Sequence, residues 1–411
     1  MTTTYKPTAE RKRRANGVRM GFDAPLLIVV VLLVLFGLVM VFSASWEMSF
    51  EVHGDHTTMF FRQVLFMVGG IFLALITSMI DYHEYRRFAR VGAVALIIAL
   101  AFVVLFGDER FGATRSISNG SIMPSEAAKL GVIIYLCVWM YAKRHEIHKI
   151  GFGLVPLGVI LGVFGGLIFA QPDISATFTV VMLGGILFFI GGGDLKQVFI
   201  LVMVAVLFGI LVVMLMPTAR DRMMGFTSGL SNIMDAPFHV RRSVESFVRG
   251  GLFGVGIDNA EIKLTSLPFP ATDSIFAVVA EEMGMIGTTF VIGLYVVFIW
   301  RGMQIARQSS DMLGALLASG ITFWIAIEAC INMANMVGLM PFAGNALPFI
   351  SLGGSNLVTS LVAVGILMSV VRFSDPVEPS NERREHALDG LRRSNRRRDQ
   401  SRPGRASGAR R

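Results

Sequence analysis

The sequence of 411 residues is poor in charged residues and nearly free of cysteine. Only 16% of its residues are Asp, Glu, Lys or Arg, against roughly 25% in a soluble domain, while 54% are apolar. Folding in water would leave large apolar patches uncovered, which excludes an ordinary soluble protein. The two cysteines, Cys137 and Cys330, each lie inside an apolar run, which excludes a disulfide framework and a Cys-x-x-Cys metal site. We expect both to be small core side chains.

The net formal charge of +8 does not indicate a nucleic-acid partner, because the basic residues are concentrated at the chain ends. Twelve of the 37 Lys and Arg residues lie from Arg372 onward, after the last apolar run. We interpret 1–22 as a basic cytoplasmic segment and 373–411 as a disordered, basic cytoplasmic tail. The tail either contacts anionic membrane lipids or a partner, or is a solvated segment that aids orientation.

Ten apolar segments predict an all-α integral membrane protein with about ten transmembrane helices. A bilayer core of roughly 30 Å needs about 20 apolar residues in a helix. The first segment is longer than the 7–15 residues of a signal-peptide core, so we expect it to be retained. The predicted spans are 24–45, 63–80, 90–106, 126–142, 152–170, 174–190, 197–217, 274–300, 312–336 and 351–371.

The distribution of basic residues predicts that both termini are cytoplasmic. With ten spans and a cytoplasmic N-terminus, 27 of the 37 Lys and Arg residues fall on the cytoplasmic side, as the positive-inside rule requires. This topology gives a multi-pass protein of the inner membrane, with a membrane domain at 23–372. It places the longest loop, 218–273, outside the membrane between spans seven and eight.

The long outer loop contains six Lys and Arg residues, against the positive-inside bias. Long loops are often functional, and guanidinium groups suit phosphate oxygens, so its six cations predict an anionic partner. Anchoring to lipid head groups is the alternative. The loop also contains Gly250 to Gly256, GGLFGVG, which lacks the Gly-Lys-Ser/Thr of a nucleotide loop and predicts a tight re-entrant turn. The cations are Arg220, Arg222, Arg241, Arg242, Arg249 and Lys263.

Four ionisable residues converge on the outer rim by topology alone. Ionisable residues in or beside membrane spans are costly and therefore often functional. Glu126 and Lys129 lie three residues apart and can pair. Asp173 lies at a tight hairpin tip, where it can cap span six, and Asp273 begins span eight. Each has a structural explanation when taken singly, but together they predict a site at the outer rim.

Six ordered motifs resemble those of the SEDS family, the shape, elongation, division and sporulation proteins. The resemblance runs from about residue 23 to 372 and implies a SEDS-type bundle with a long outer loop between helices 7 and 8. The charged N-terminal extension and the basic tail favour the division member over the elongation member. The motifs are 43–45 (SAS), 124–130 (PSEAAKL), 171–173 (QPD), 250–256 (GGLFGVG), 267–282 with its Thr-Asp-Ser, and 347–355 (LPFISLGGS).

The resemblance implies a peptidoglycan glycosyltransferase that polymerises lipid II outside the membrane. It implies as partners a class B penicillin-binding protein and other proteins of the division or elongation complex. The family's catalytic aspartate corresponds to Asp273. Together with the loop cations, the motifs give these candidates for binding substrate or pyrophosphate: Arg115, Glu126, Lys129, Asp173, Arg242, Arg249, Lys263 and Ser351.

The sequence departs from the family pattern at three positions. The family's His before Thr-Asp is Ala271 here, and its Trp after the arginine motif is Ser116. The Gln common in span nine is Glu328, on the same general face as Asn332 and Asn335. No role is assigned to Glu328 from the sequence.

Polymerisation of lipid II requires a base for the attacking sugar hydroxyl and charge stabilisation for the leaving pyrophosphate. Asp273 is flanked by hydroxyl residues at a helix start, and we predict that it is the general base. Arg115, Lys129 and the loop arginines are predicted to hold the pyrophosphate. The chain has no Asp-x-Asp motif, which disfavours metal-dependent nucleotide-sugar chemistry. A divalent cation, Mg²⁺ or Mn²⁺, bridging the pyrophosphate is left open.

Two other classes of protein stay open. A lipid II flippase would place its polar site near the membrane midplane, between inverted repeats. The sequence displays no inverted repeat, but Glu328 and the many glycines within the spans keep this alternative open. A non-catalytic scaffold would tolerate changes at Asp273.

Overall fold

The computed structural model describes most of the chain between residues 21 and 374. The predicted cytoplasmic segments 1–22 and 373–411 therefore fall almost wholly outside it. The described residues are 21–110, 113–116, 123–265 and 267–374, without the side chains of 108–110 and 113–116.

The described residues form thirteen α-helices, two 3-10 turns and one short antiparallel hairpin. The helices are α1 (Ala24–His53), α2 (Thr58–Met79), α3 (Tyr85–Phe106), α4 (Pro124–Lys143), α5 (Leu154–Phe169), α6 (Ile174–Ile190), α7 (Leu195–Leu215), α8 (Pro217–Ser231), α9 (Phe238–Gly250), α10 (Ile262–Thr265), α11 (Ile275–Gln308), α12 (Met312–Met336) and α13 (Gly354–Phe373). The 3-10 turns are Tyr82–Glu84 and Ile233–Asp235, and the hairpin pairs β1 (Asp108–Arg110) with β2 (Ala113–Ser116).

Eight helices in the described part of the chain are long and apolar enough to cross a membrane. They are α1, α2, α3 with the turn before it, α4, α7, α11, α12 and α13. Helices α5 and α6 are equally apolar but have only 16 and 17 residues. Each predicted span coincides with one of these ten helices, and the predicted all-α membrane fold is confirmed. The count of ten crossings stays a prediction.

Helix α1 shows why some predicted ends are wrong. The Asp23 carboxylate accepts a hydrogen bond from the Leu26 amide, at 3.0 Å, and caps the N-terminus as the apolar run begins. The helix continues eight residues past the predicted end at 45, because no helix breaker occurs before Gly54. Gly54 ends it with a φ of 71°, a conformation that favours glycine. Hydropathy marks the membrane-embedded part of a helix, whereas caps and breakers mark its ends.

The predicted loop 218–273 is largely helical. It contains α8, α9 and α10, which hydropathy alone does not detect because they are too polar. Helix α9 buries Val240, Ser243 and Ser246 against α11 and α12 and exposes its arginines. We call the end of the bundle that carries these helices the outer end, following the predicted topology.

Helices α12 and α13 lie at the centre of the bundle, while α7 lies at the periphery. The apolar span of α12 is 83% buried and that of α7 is not buried at all. Close helix approach depends on small residues. At Gly365 of α13, a Cβ atom would lie 2.3 Å from the carbonyl oxygen of Ala74 in α2.

The prediction that both cysteines are core side chains is half wrong. Cys137 is fully buried in α4, but Cys330 is exposed on the surface of α12. An apolar run in a membrane protein has a lipid-facing side, so apolar surroundings in sequence do not guarantee burial.

Helix α11 is broken at Gly284, whose φ of 64° and ψ of −160° are non-helical. The turn 250–256 inserts its backbone at the break, and Gly251, Gly254 and Gly256 adopt positive φ angles, which confirms the predicted tight turn. Four backbone hydrogen bonds of 2.9–3.2 Å join the two segments: Met285 N to Gly251 O, Ile286 N to Leu252 O, Val255 N to Glu281 O, and Gly256 N to Glu282 O. The backbone groups freed by the break are thereby satisfied.

A second non-helical segment, between α12 and α13, enters the bundle. The Tyr295 hydroxyl in the middle of α11 donates to the Pro348 carbonyl, and the rings of Phe298 and Phe349 lie 5.9 Å apart. Gly37 of α1 packs so closely on this segment that a Cβ atom would lie 2.6 Å from the carbonyl oxygen of Phe349. We call residues 337–353 the re-entrant segment.

Candidate active site at the outer end of the bundle

Asp273 is half-buried in the turn before α11, and its backbone is held from two sides. The Asn332 side-chain amide of α12 donates to the carbonyls of Asp273 and Asn345, at 2.8 and 2.6 Å. The Ser351 hydroxyl of the re-entrant segment donates to the Thr272 carbonyl at 2.6 Å. These bonds fix the backbone that carries the Asp273 carboxylate.

Ser351 is therefore close to Asp273, but its hydroxyl is occupied by the backbone. Besides donating to Thr272, it accepts from the Leu347 amide at 2.8 Å. Its carbonyl accepts from the buried Gln63 side chain of α2 at 3.1 Å. The predicted contact of Ser351 with substrate stays a prediction, and the geometry gives the residue a supporting role.

Gly344 lies directly beside the Asp273 carboxylate. A Cβ atom on Gly344 would be 2.7 Å from Asp273 Oδ2, closer than such contacts occur in proteins. The carboxylate is a side chain and can move, so a methyl group here would displace it rather than unfold the protein.

Gly344→Ala should therefore lower catalytic activity with little loss of stability. A misplacement of about 1 Å at a reacting group can cost about 10²-fold in rate. The matched control is Gly353→Ala in the same segment, where the nearest atom to a new Cβ is Asn356 Cβ at 3.7 Å. We expect wild-type rates from the control in a polymerisation assay, and similar melting temperatures from both. Equal rates from the two variants would contradict the placement of the carboxylate.

Lys129 lies between two carboxylates near the outer end of α4. Its ammonium is 2.9 Å from the Glu126 carboxylate, which confirms the predicted pair. It also donates to Glu328 of α12, a partner that the sequence did not reveal. The Asn356 amide of α13 donates to Glu126 at 2.9 Å, so three helices meet at this cluster. We call Glu126, Lys129 and Glu328 the charged triad.

Helix α12 connects the charged triad to Asp273. Glu328, Asn332 and Asn335 follow at intervals of four and three residues, which places them on one helix face about one turn apart. Glu328 contacts Lys129, Asn332 contacts the Asp273 backbone, and Asn335 donates to the Ala343 carbonyl at 2.8 Å. The structure thus brings Lys129, Glu126, Ser351 and Asp273 together around one polar stripe.

Asp173 caps α6, as predicted. It is 7% exposed, and its Oδ1 accepts from the Ser175 hydroxyl at 2.9 Å and from the Ala176 amide at 3.1 Å. Both partners belong to its own helix. Its predicted role in holding pyrophosphate stays a prediction.

Lys263 lies in a second polar cluster, between α1 and α11. Its buried ammonium donates to the Ser43 hydroxyl at 2.6 Å and pairs with Glu282 at 2.8 Å and Asp258 at 2.9 Å. Beside it is a cavity of about 250 Å³ that is also lined by Glu47 and Glu51. Through these partners Lys263 links the outer loop to α1 and α11. Its contact with pyrophosphate stays a prediction.

Arg242 and Arg249 are surface residues of α9 with acidic partners. Arg242 pairs with Glu245 at 2.5 Å, and Arg249 pairs with Glu261 at 2.5 Å. The hydrogen bond that Arg249 donates to the Glu261 carboxylate raises the pKa of Arg249 above its ordinary value. Neither arginine contacts the charged triad, and binding of an anion stays a prediction for both.

Helix α9 packs on the re-entrant segment. The His239 ring stacks on Phe342 with centroids 4.5 Å apart, and the Ser243 hydroxyl lies 3.3 Å from Met336 Sδ. Burial, with a smaller effect of Arg222, lowers the pKa of His239 below its ordinary value. Helix α9 is therefore packed against the segment that carries Gly344.

Arg115 lies on β2, a strand that contacts α3 and α4 near their outer ends. Its side chain is outside the described part of the structure, so its role stays a prediction. Among the described residues, no three or more His, Cys, Asp or Glu side chains are grouped to hold a metal ion. Binding of Mg²⁺ or Mn²⁺ with the substrate also stays a prediction.

The fold and the site define a multi-pass membrane protein with a cluster of buried charges and a half-buried acid at one end of its helices. The family model for FtsW, RodA and SpoVE, described as cell cycle protein, matches residues 23–375. The chain belongs to this family, which confirms the resemblance found in the motifs.

A named relative agrees with this membership, and two solved structures share the fold. A protein of Trichlorobacter lovleyi named probable peptidoglycan glycosyltransferase FtsW is 36% identical over 353 residues, covering 85% of this chain and 93% of that protein. A chain from a peptidoglycan synthase complex that coordinates polymerization and crosslinking shares the fold, with a TM-score of 0.71 and 22% identity over 87% of this chain and all of that one. The rod shape determining protein RodA of Thermus thermophilus has a TM-score of 0.64 and 22% identity over 87% of this chain and 99% of that one.

Proposed function

We propose that the protein is a peptidoglycan glycosyltransferase that polymerises lipid II for septal wall synthesis in cell division. The observation that carries the proposal is the placement of Asp273, fixed by Asn332 and Ser351 at the outer end of the bundle. The 36% identical relative named peptidoglycan glycosyltransferase FtsW supports both the activity and the division role.

In the proposed reaction, the 4-hydroxyl of the acceptor sugar attacks the anomeric carbon of the donor disaccharide. Asp273 takes the hydroxyl proton as a glycosidic C–O bond forms, and the bond to the undecaprenyl pyrophosphate breaks with inversion at the donor carbon. The pyrophosphate leaves with the electron pair. Arg115 and Lys129 are proposed to stabilise its charge, the electrostatic part of catalysis.

The membrane supplies part of the catalysis in this proposal. Donor and acceptor are both anchored by their lipids, so they meet in the plane of the bilayer in a restricted orientation, which lowers the entropic cost of reaction. We propose that the site faces the outside of the inner membrane and that both termini are cytoplasmic. With the two terminal segments counted, 27 of the 37 Lys and Arg residues fall on the opposite side, which supports this orientation.

A class B penicillin-binding protein is the partner that we infer. Glycan strands must be crosslinked after polymerisation, and one solved structure with the same fold comes from a complex that coordinates both reactions. Other proteins of the division complex are inferred only from the division role.

The proposal is tested with purified protein in liposomes that contain fluorescent lipid II, with and without the penicillin-binding protein. We expect glycan strands that a muramidase digests. Transfer of lipid II between leaflets without polymer would instead identify a flippase. Neither product, together with binding of the penicillin-binding protein, would identify a scaffold.

A further inference from the structure

The charged triad contains more acid than charge neutralisation requires. Lys129 is 1% exposed and Glu328 is fully buried, so each charge would be costly without a partner. Glu126 already neutralises Lys129 from the same helix and is itself held by Asn356. The second carboxylate, which comes from α12, must therefore serve another purpose than neutralisation.

The direction of the Glu328 contact indicates that purpose. A lysine side chain has a flexible four-carbon stem, and a partner three residues away on the same helix restricts it only loosely. Glu328 reaches Lys129 from α12, so the ammonium is held between two helices. One turn along α12, Asn332 holds the backbone of Asp273. The position of the cation and the position of the acid are thus set by the same helix face.

We propose that Glu328 is a positioning residue that fixes the Lys129 ammonium relative to Asp273, with α12 as the common frame. Its effect on catalysis rests on the proposed function, whereas its contact with Lys129 does not. Glu328 acts through Lys129 and touches no reacting atom. A change at Glu328 should therefore alter the rate at saturating lipid II more than the concentration of lipid II that gives half the maximal rate.

The first test compares Glu328→Ala, Glu328→Gln and Thr322→Val in the polymerisation assay. We expect about a 10²-fold loss of maximal rate for Ala, since the ammonium is free to move. Gln keeps an oxygen acceptor for Lys129, so it should restore a large part of that loss. Thr322 is a buried residue of the same helix whose hydroxyl donates to the Ala318 carbonyl one turn back, so its valine variant should keep the wild-type rate. Wild-type activity of Glu328→Ala would overturn the proposal.

The second test measures melting temperatures of the single variants Lys129→Met and Glu328→Gln and of the double variant. Lys129→Met leaves the buried Glu328 and the partly buried Glu126 without a cation and should lower the melting temperature. Adding Glu328→Gln should recover at least half of that loss, while polymerisation stays absent. Additive losses of melting temperature would overturn the contact between the two residues. Absence of polymer from the wild type and from Thr322→Val would refute the proposed function instead, and the melting temperatures would still test the contact.

Discussion

Asp273→Asn should lower the rate of lipid II polymerisation by about 10²–10⁴-fold, the usual contribution of a general base. Asparagine has the same size and hydrogen-bonds in its place but does not accept the proton of the sugar hydroxyl. The fold should survive, because Asn332 and Ser351 hold the backbone of this segment and not the carboxylate. The measurement is the initial rate of glycan-strand formation by purified protein, with the melting temperature measured on the same samples.

Asp235→Asn is the matched control for this variant. Asp235 is an exposed acid in a 3-10 turn of the outer loop, and its neutralisation should leave rate and melting temperature unchanged. Strand formation at the wild-type rate by Asp273→Asn would remove Asp273 from the mechanism. An equal loss in both variants would mean that the loop's net charge, rather than one carboxylate, controls the reaction.

Gly254→Ala should prevent stable folding of the membrane domain. Gly254 has a φ of 80°, and a Cβ atom would lie 2.1 Å from the carbonyl oxygen of Glu282, in backbone that cannot move aside without losing the bonds at the break in α11. The φ angle alone costs about 1–2 kcal/mol for a residue with a side chain. The clash adds to that cost, so we expect a strongly reduced yield of monodisperse protein and a much lower melting temperature.

Gly192→Ala separates the clash from the φ angle. Gly192 has a φ of 90°, but no atom lies within 4 Å of a new Cβ there. This variant should show only the conformational cost and should still fold. If both variants lose the same amount of melting temperature, the close packing of turn 250–256 on the break at Gly284 is wrong.

The sequence predicts the membrane-spanning helices well because lipid imposes one strong requirement on them. A helix of about 20 apolar residues is the simplest segment that satisfies its backbone in a bilayer. The same reasoning does not detect α8 and α9, which are too polar to look like spans. It also misses the break at Gly284, which depends on a partner segment thirty residues earlier in the chain.

In the candidate site, too, the sequence predicts the local features and misses the long-range contacts. Glu126 and Lys129 are predicted to pair because a spacing of three residues places them on one helix face. The cap at Asp173 follows from its position before a helix. The contact of Glu328 with Lys129 and the approach of Gly344 to Asp273 arise only when helices and the re-entrant segment pack together, and no local pattern encodes them.

The most direct test of the account is the side of the membrane on which polymer forms. Proteoliposomes with protein in one known orientation are given labelled lipid II in one leaflet only, and the orientation is read by labelling Met234→Cys in the exposed outer loop with an impermeant reagent. We predict muramidase-sensitive glycan strands only when lipid II is in the leaflet that faces residues 218–273. Strands made from lipid II in the opposite leaflet alone, or no strands from either, would contradict a glycosyltransferase centred on Asp273 at the outer end of the bundle.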